Sequence, residues 1–449
     1  MIEGGFSSAS IGLTQNYIIP FALQLQATSF QIGLLTSIPN VLMSLSQLVA
    51  PNVTARLGSR KGTIIPSLLI DTLMWLPILL IPFLYRENGF LYFLMMFTFK
   101  TIAGGFAGPA WGSLMADLAA ETVRGRYFSQ RNMFNSACAL MAGFAAMMVM
   151  EHFQAVNADF TGFAWLFGSA LVLRLAAVAL FPGMYEPPFE KNRFKIDSTF
   201  DTIRTLSKSK LGKFVVLVAL TMFTMNMSGP FFAVYLLRDL QFDYVSYMII
   251  LGAGGVFAVF LQPFWGRRAD VYGNAIILKI VTILMPLIPF SFIISANLYY
   301  LIGTQILSAF LVTGLNLAVL NYIFDATQSR DRTRYLAVFN MFAGLAACAG
   351  ALIGGILASN LPPLFGYSLK TLFLISGIIR LLVVVSGLFV IREVRPVPQI
   401  SLLHFLVRPP PRTYAGRSNY LKLMPDFKDE ELAEKNDEIP PEDSRNNIP

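Results

Sequence analysis

Residues 117–134 read DLAAETVRGRYFSQRNMF and residues 325–342 read DATQSRDRTRYLAVFNMF. Asp117, Arg124, Arg126, Tyr127, Asn132, Met133 and Phe134 return at identical spacing as Asp325, Arg332, Arg334, Tyr335, Asn340, Met341 and Phe342, an offset of 208. Apolar bias aligns leucines by chance, but it does not align an aspartate, two arginines and an asparagine. The offset persists elsewhere. Thr14, Asn16, Pro20 and Phe21 return as Thr224, Asn226, Pro230 and Phe231 at 210, Gln47 and Gly58 as Gln262 and Gly273 at 215, and Arg174 as Arg380 at 206. A displacement that drifts so little across the chain marks two duplicated halves with short loop insertions.

Composition places those halves in a membrane. The 449 residues are 55% apolar and only 13% charged, with a mean hydropathy of +0.60, whereas about a quarter of the residues of a soluble domain are charged. A spanning helix needs about 20 mainly apolar residues. Twelve such stretches occur: 6–25, 31–50, 63–84, 91–114, 128–150, 161–181, 214–237, 245–265, 275–294, 299–322, 336–358 and 372–391. The first is diluted by Ser7, Ser8, Ser10, Thr14, Gln15 and Asn16, and the repeat supports it as a span. The expected fold is an all-α polytopic membrane protein, twelve transmembrane helices in two pseudo-symmetric six-helix halves, 1–181 and 214–395. Between them lies a linker, 182–213, whose Phe200, Ile203 and Leu206 suggest a short amphipathic helix. The tail, 396–449, is acidic and Pro-bearing from about Met424 and reads as partly disordered.

Alternate loops carry 18 Lys and Arg, among them Arg56, Arg60, Lys61, Arg124, Arg126 and Arg131, while the opposite loops carry only Arg86, Arg238 and Lys370. That asymmetry places the basic loops and both chain ends in the cytoplasm, with the plasma membrane as the expected location. The net charge of +8 is thereby read as topology and not as nucleic-acid binding; the partner expected at this point is the lipid bilayer. Cys138 and Cys348 both lie in apolar stretches, which excludes a disulfide framework and a Cys-based zinc site. His152 and His404 make no HExxH, and no GxxxxGK[ST] occurs. No metal or cofactor is expected, and no constellation of nucleophile, base or metal ligands points to a membrane enzyme. Residues 1–5 carry Glu3 and no Lys or Arg, unlike the start of a signal peptide.

With this organisation the chain resembles the major facilitator superfamily over residues 1–395. The family's loop motif after span two (a Gly, then an Asp, then a Gly amid basic residues) is present in two complementary, incomplete copies. The first keeps Arg56, Gly58, Arg60 and Lys61 but has Pro51 and Ala55 at the Gly and Asp positions; the second keeps Gly266, Asp270 and Gly273 but has Val271 in place of a basic residue. The resemblance implies two halves related by an axis along the membrane normal, with substrate held near the midplane between them.

It also implies that spans one, four, seven and ten line the cavity. Their polar residues are the candidate substrate contacts: Thr14, Gln15 and Asn16 on span one, Lys100 on span four, Thr224 and Asn226 on span seven, and Gln305 and Asn316 on span ten. Pro20 and Pro230 follow the two asparagines by four residues, so each removes a backbone donor and frees an upstream carbonyl. Helix-to-helix polar glue explains these residues equally well. Lys100 sits about ten residues from either boundary, where an uncompensated charge is costly. It falls where the family's span-four motif carries an Arg, four residues before Gly104. It is read as a contact for an anionic or hydrogen-bond-accepting substrate, or as part of ion coupling; a buried, structurally paired Lys is the alternative. Its repeat counterpart is Ser308.

Asp71 on span three and Arg174 on span six lie at one depth and are read as a structural ion pair, with proton relay through Asp71 as the alternative. Arg380 has no acidic partner in span nine. Asp117, Arg124, Arg126, Asp270, Asp325, Arg332 and Arg334 belong at the cytoplasmic helix ends, where pairs that break and re-form would latch alternating access; topology-setting charge is the bland reading. The expected function is secondary transport of a small neutral, amphiphilic or anionic molecule, with the coupling ion, if any, left open. The alternative is a non-transporting receptor or scaffold of the same fold acting through its tail.

Overall fold

A computed structural model describes residues 1–84, 87–118, 124–187, 204, 206, 209–327, 332–391 and 393. The tail, most of the linker and the side chains of Arg124, Arg126, Arg332 and Arg334 lie outside what is described; Leu206 of the linker is helical and buried against Val215 and Val338.

The described chain is almost wholly helical. The first span, α1, is made of Ile2–Thr14 and Ile18–Gln24 joined by a 3-10 turn, Gln15–Tyr17. Then follow α2 (Ser29–Leu57), α3 (Arg60–Leu73 and Trp75–Leu84), α4 (Gly89–Leu118), α5 (Arg124–Ala155) and α6 (Asp159–Ala179). The second set is α7 (Lys210–Val234, extended by a π-helical turn, Tyr235–Asp239), α8 (Tyr244–Tyr272), α9 (Asn274–Leu284 and Leu287–Ile294), α10 (Leu298–Asp325), α11 (Arg332–Asn360) and α12 (Ser368–Val390). Eleven of these segments are long and apolar enough to cross a membrane. The twelfth, α1, is interrupted where its hydropathy is weakest. Side chains mark several starts: Thr28 and Gln31 form a capping box on α2, and Asp243 and Asn297 accept backbone N–H groups at the heads of α8 and α10. Such caps satisfy donors that a helix leaves unpaired.

Packing repeats with the sequence. In the first half α1 packs on α5 and α6, α2 on α4, and α3 on α4 and α6; six helices later α7 packs on α11 and α12, α8 on α10, and α9 on α10 and α12. The halves meet along two seams, α2 with α11 and α5 with α8. The first seam is close: a Cβ on Gly33 would sit 2.7 Å from the carbonyl oxygen of Ala351. Only glycine permits that approach, the usual small-residue contact between helices in lipid. Residue 1, Glu393 and the starts of α3 and α9 share one end of the bundle, called the basic end below.

Candidate functional site

The site begins at the bend in α1. Pro20 has no N–H to offer the carbonyl of Asn16, four residues back. The hydroxyl of Tyr247 on α8 donates to that carbonyl instead, at 2.7 Å, a bond from one half to the other. Toward the end opposite the basic loops, Gln24 Nε2 donates to Asp159 Oδ2 at 2.7 Å and to Tyr244 Oη at 3.3 Å. Arg238 Nη1 donates to Ser29 Oγ at 3.0 Å. Tyr17 and Tyr244 pack ring to ring with centroids 6.3 Å apart. The Gln24–Tyr244, Arg238–Ser29 and Tyr17–Tyr244 contacts join the halves at that end, around a cavity of about 380 Å³ lined by Gln24, Gln154, Arg238 and Tyr244 among others.

Nearer the basic end a second cavity, of about 290 Å³, lies where α1, α5 and α8 converge. Its polar side chains are Gln15, Asn16, Ser136 and Gln262. None of the four has a side-chain hydrogen-bond partner among the described residues. That distinguishes them from Thr14, Thr224 and Asn226. Thr14 donates to the Ser10 carbonyl at 3.0 Å, Thr224 to Thr221 at 2.9 Å, and Asn226 to Met222 at 2.9 Å. Those side chains spend their donors on their own helices, a common habit of Ser, Thr and Asn in apolar surroundings. Gln305 is half-buried and Asn316 exposed on α10, and neither lines the cavity.

Lys100 is held. Its Nζ donates to Asp71 Oδ1 at 2.7 Å and lies 4.8 Å from the centroid of the Trp75 ring. Arg174 approaches the other oxygen, Nε to Oδ2 at 3.5 Å, and its Nη1 donates to Ser7 Oγ. One carboxylate thus serves two cations. Gly104 makes room for it, since a Cβ there would stand 3.1 Å from Asp71 Oδ1. In the second half Arg380 donates to Ser228 Oγ at 3.0 Å and to the carbonyls of Thr224 at 3.2 Å and Met285 at 3.3 Å. Pro289 supplies no N–H to the Met285 carbonyl, which accepts instead from the N–H of Ile288 at 3.3 Å and from Arg380.

At the basic end the duplicated aspartates bond within their own halves. Asp117 pairs with Arg60 at 2.6 Å, and Asp325 accepts from Asn274 Nδ2 at 2.7 Å. Asp270 is exposed near the end of α8. The same corners hold a duplication that the sequence reading did not use. Glu186 accepts from Ser59 Oγ at 3.0 Å and from the backbone N–H groups of Arg60 and Lys61, and Glu393 accepts from the N–H of Ala275 at 2.8 Å. The two glutamates are 207 residues apart, so the repeat itself was the signal. No such signal marks Tyr247, Gln24 or Asp159. Glu3 and Arg131 form a further buried pair at 3.2 Å, with Arg131 over the Trp111 ring.

Comparison with known proteins agrees with this architecture. The family model of the Major Facilitator Superfamily matches residues 4–218 and again 214–412. Among solved structures, a point mutant of the nucleoside transporter NupG superposes with a TM-score of 0.69 at 13% identity, covering 87% of this chain and 98% of that one. A D-xylose–proton symporter gives 0.68 at 14%, covering 88% and 96%. A bacterial homologue of the lysosomal transporter Spinster gives 0.64 at 14%, covering 89% and 96%. No curated protein matches the chain in sequence. Identities this low speak to the fold.

Proposed function

We propose, for a chain that belongs to the Major Facilitator Superfamily, that this secondary transporter carries its small-molecule substrate by alternating access between its two halves. The observation that supports it most is the pairing of a closed end with a cavity. Bonds between the halves gather at one end, and below them Gln15 and Asn16 present unspent amides to a space that both halves line. Basic loops orient the termini toward the cytoplasm, at the plasma membrane, so the gathered end faces outward. Gln15 and Asn16 carry substrate contact in this reading. Lys100 does not line this cavity and takes the ion-coupling part, the opening of its bond to Asp71 tying the charged cluster to the cycle. Asp117, Asp325, Asp270 and the neighbouring arginines Arg124, Arg126, Arg332 and Arg334 close the basic end in the opposite state.

A thermal-shift panel tests this, using purified protein with sugars, organic anions, nucleosides and amphiphilic solutes, in wild type and in Asn16→Ala and Gln15→Ala. A ligand at a hundredfold excess over its Kd stabilises by about 2.7 kcal/mol. Selective stabilisation weakened by both substitutions, followed by flux of the same solute into proteoliposomes, is the expected outcome. A folded protein that shifts with none of the panel and moves none of it would overturn the reading.

A further inference from the structure

The cavity between α1, α5 and α8 carries a second message in its lining, one that rests on the transport reading above and names the substrate class. Its α8 wall presents Met248, Leu251, Gly252, Gly255, Ala258, Val259 and Gln262, which recur at the three- and four-residue steps of a single helical face. The α5 wall does the same from Ser136 to Phe144. Along both faces polarity is sorted by depth. At about 1.5 Å of rise per residue, Gln262 lies about 15 Å and Ser136 about 18 Å in from the basic ends of their helices. Phe144, Leu251 and Met248 lie about 30–36 Å in by the same measure. Gln15 and Asn16 join the polar end.

We infer that this cavity binds an uncharged amphiphile, its hydrogen-bonding head held by Gln15, Asn16, Ser136 and Gln262 and its apolar body lying against Leu140, Phe144, Met248 and Leu251. Three amides and a hydroxyl both donate and accept, which suits hydroxyl or amide groups. Among the described residues lining the cavity none is ionisable. A charged head would therefore lose its water without gaining a counter-ion, at a cost of several kcal/mol. A wholly polar solute would be mismatched in another way, because it leaves the deep wall without an apolar partner. The fixed charges of the first half, Asp71, Lys100 and Arg174, bond to one another on α3, α4 and α6, and none of the three lines the cavity.

Photolabelling of the full chain in nanodiscs tests this with three probes: a diazirine-bearing monoacylglycerol, the same acyl chain carrying a phosphate head, and uridine as a competitor. The monoacylglycerol is expected to label residues 139–144 and 248–259 saturably. Labelling should fall about tenfold in Gln262→Leu, as loss of a hydrogen bond to the head implies, and equally in Ala258→Phe, which fills the space. Ser291→Ala, on the outer helix α9, should label as wild type does. Labelling that is unsaturable and spread over exposed apolar residues such as Phe260 would overturn the inference. So would stronger labelling by the phosphate-headed probe, or displacement by uridine. Saturable labelling without flux in proteoliposomes would keep the inference and remove transport; flux of another solute with no labelling of the seam would do the reverse.

Discussion

Arg174 and Arg380 occupy corresponding places in the two halves and are held in opposite ways. Arg174 shares the carboxylate of Asp71 with Lys100, a cluster with one anion and two cations. Arg380 is nearly fully buried and is held by the carbonyls of Thr224 and Met285 and the hydroxyl of Ser228. The duplication kept the guanidinium and changed its surroundings. What this teaches is that a buried arginine tolerates two remedies, a counter-charge or a cage of oriented dipoles. The second needs no acidic residue, and for that reason it leaves no mark in the sequence.

The comparison breaks most visibly at Asp71. Asp71→Asn leaves Lys100 and Arg174 facing each other without an anion, and removal of one partner from a buried pair costs about 3–5 kcal/mol. Chemical unfolding in detergent reads the loss, and Lys100→Met in the same background should recover part of it by removing one stranded cation. A variant as stable as wild type would show that Lys100 and Arg174 are solvated and do not depend on Asp71 as their counter-charge.

A smaller effect is expected from giving the second half the remedy of the first. Thr282 lies beside Arg380, Thr224 and Met285 around a narrow void, so Thr282→Asp puts a carboxylate within reach of the guanidinium. Alone it buries a charge; beside Arg380 it finds a partner. A cycle of Thr282→Asp and Arg380→Met should therefore give a favourable coupling of about 1–3 kcal/mol. Coupling near zero would mean that a carboxylate at 282 does not reach the guanidinium, whose Nε has no partner among the described residues.

Where the halves agree, their responses should agree too. Glu186 and Glu393 accept from the corresponding N–H groups of Arg60 and Ala275 at the heads of α3 and α9, and loss of an anionic cap costs about 0.5–2 kcal/mol. Glu186→Ala and Glu393→Ala should each lower the unfolding midpoint by similar amounts. A large difference would show that one of the two corners carries more than helix capping.

Much of this was legible in the sequence, for particular reasons. Hydropathy marked eleven spans directly, whereas the first required the repeat, because the residues that bend it also lower its hydropathy. Depth counting put Asp71 and Arg174 at one level, and they stand 3.5 Å apart. It also left Lys100 alone on α4, because a linear count of depth carries no information about which helix faces which. Hydrogen-bond saturation was equally hidden. Thr14, Thr224 and Asn226 looked like Gln15 and Asn16 in composition, but their donors are spent on their own helices. Ser136 and Gln262 come from α5 and α8, outside the four spans that the family resemblance brought forward. Glu186 and Glu393 were available to the repeat search and sat beyond the spans on which it was anchored.

The smallest effect tests the difference between the two asparagines that follow the repeat, Asn16 and Asn226. Both precede a proline by four residues, yet Asn16 has its freed carbonyl filled by Tyr247 of the opposite half, while Asn226 turns its amide onto Met222 of its own helix. Tyr247→Phe removes that bond between the halves and keeps the ring. The loss should amount to about 1 kcal/mol, which shifts the balance between the closed and open far end roughly fivefold. Spin labels placed across the halves near Leu23 and Leu237 read that ratio. Pro20→Ala supplies the missing N–H, so Asn16 no longer needs the tyrosine and Tyr247→Phe should shift the ratio less in that background. Equal shifts in both backgrounds would mean that Tyr247 holds the halves by its ring packing, and that the carbonyl freed by proline has no part in closing this end.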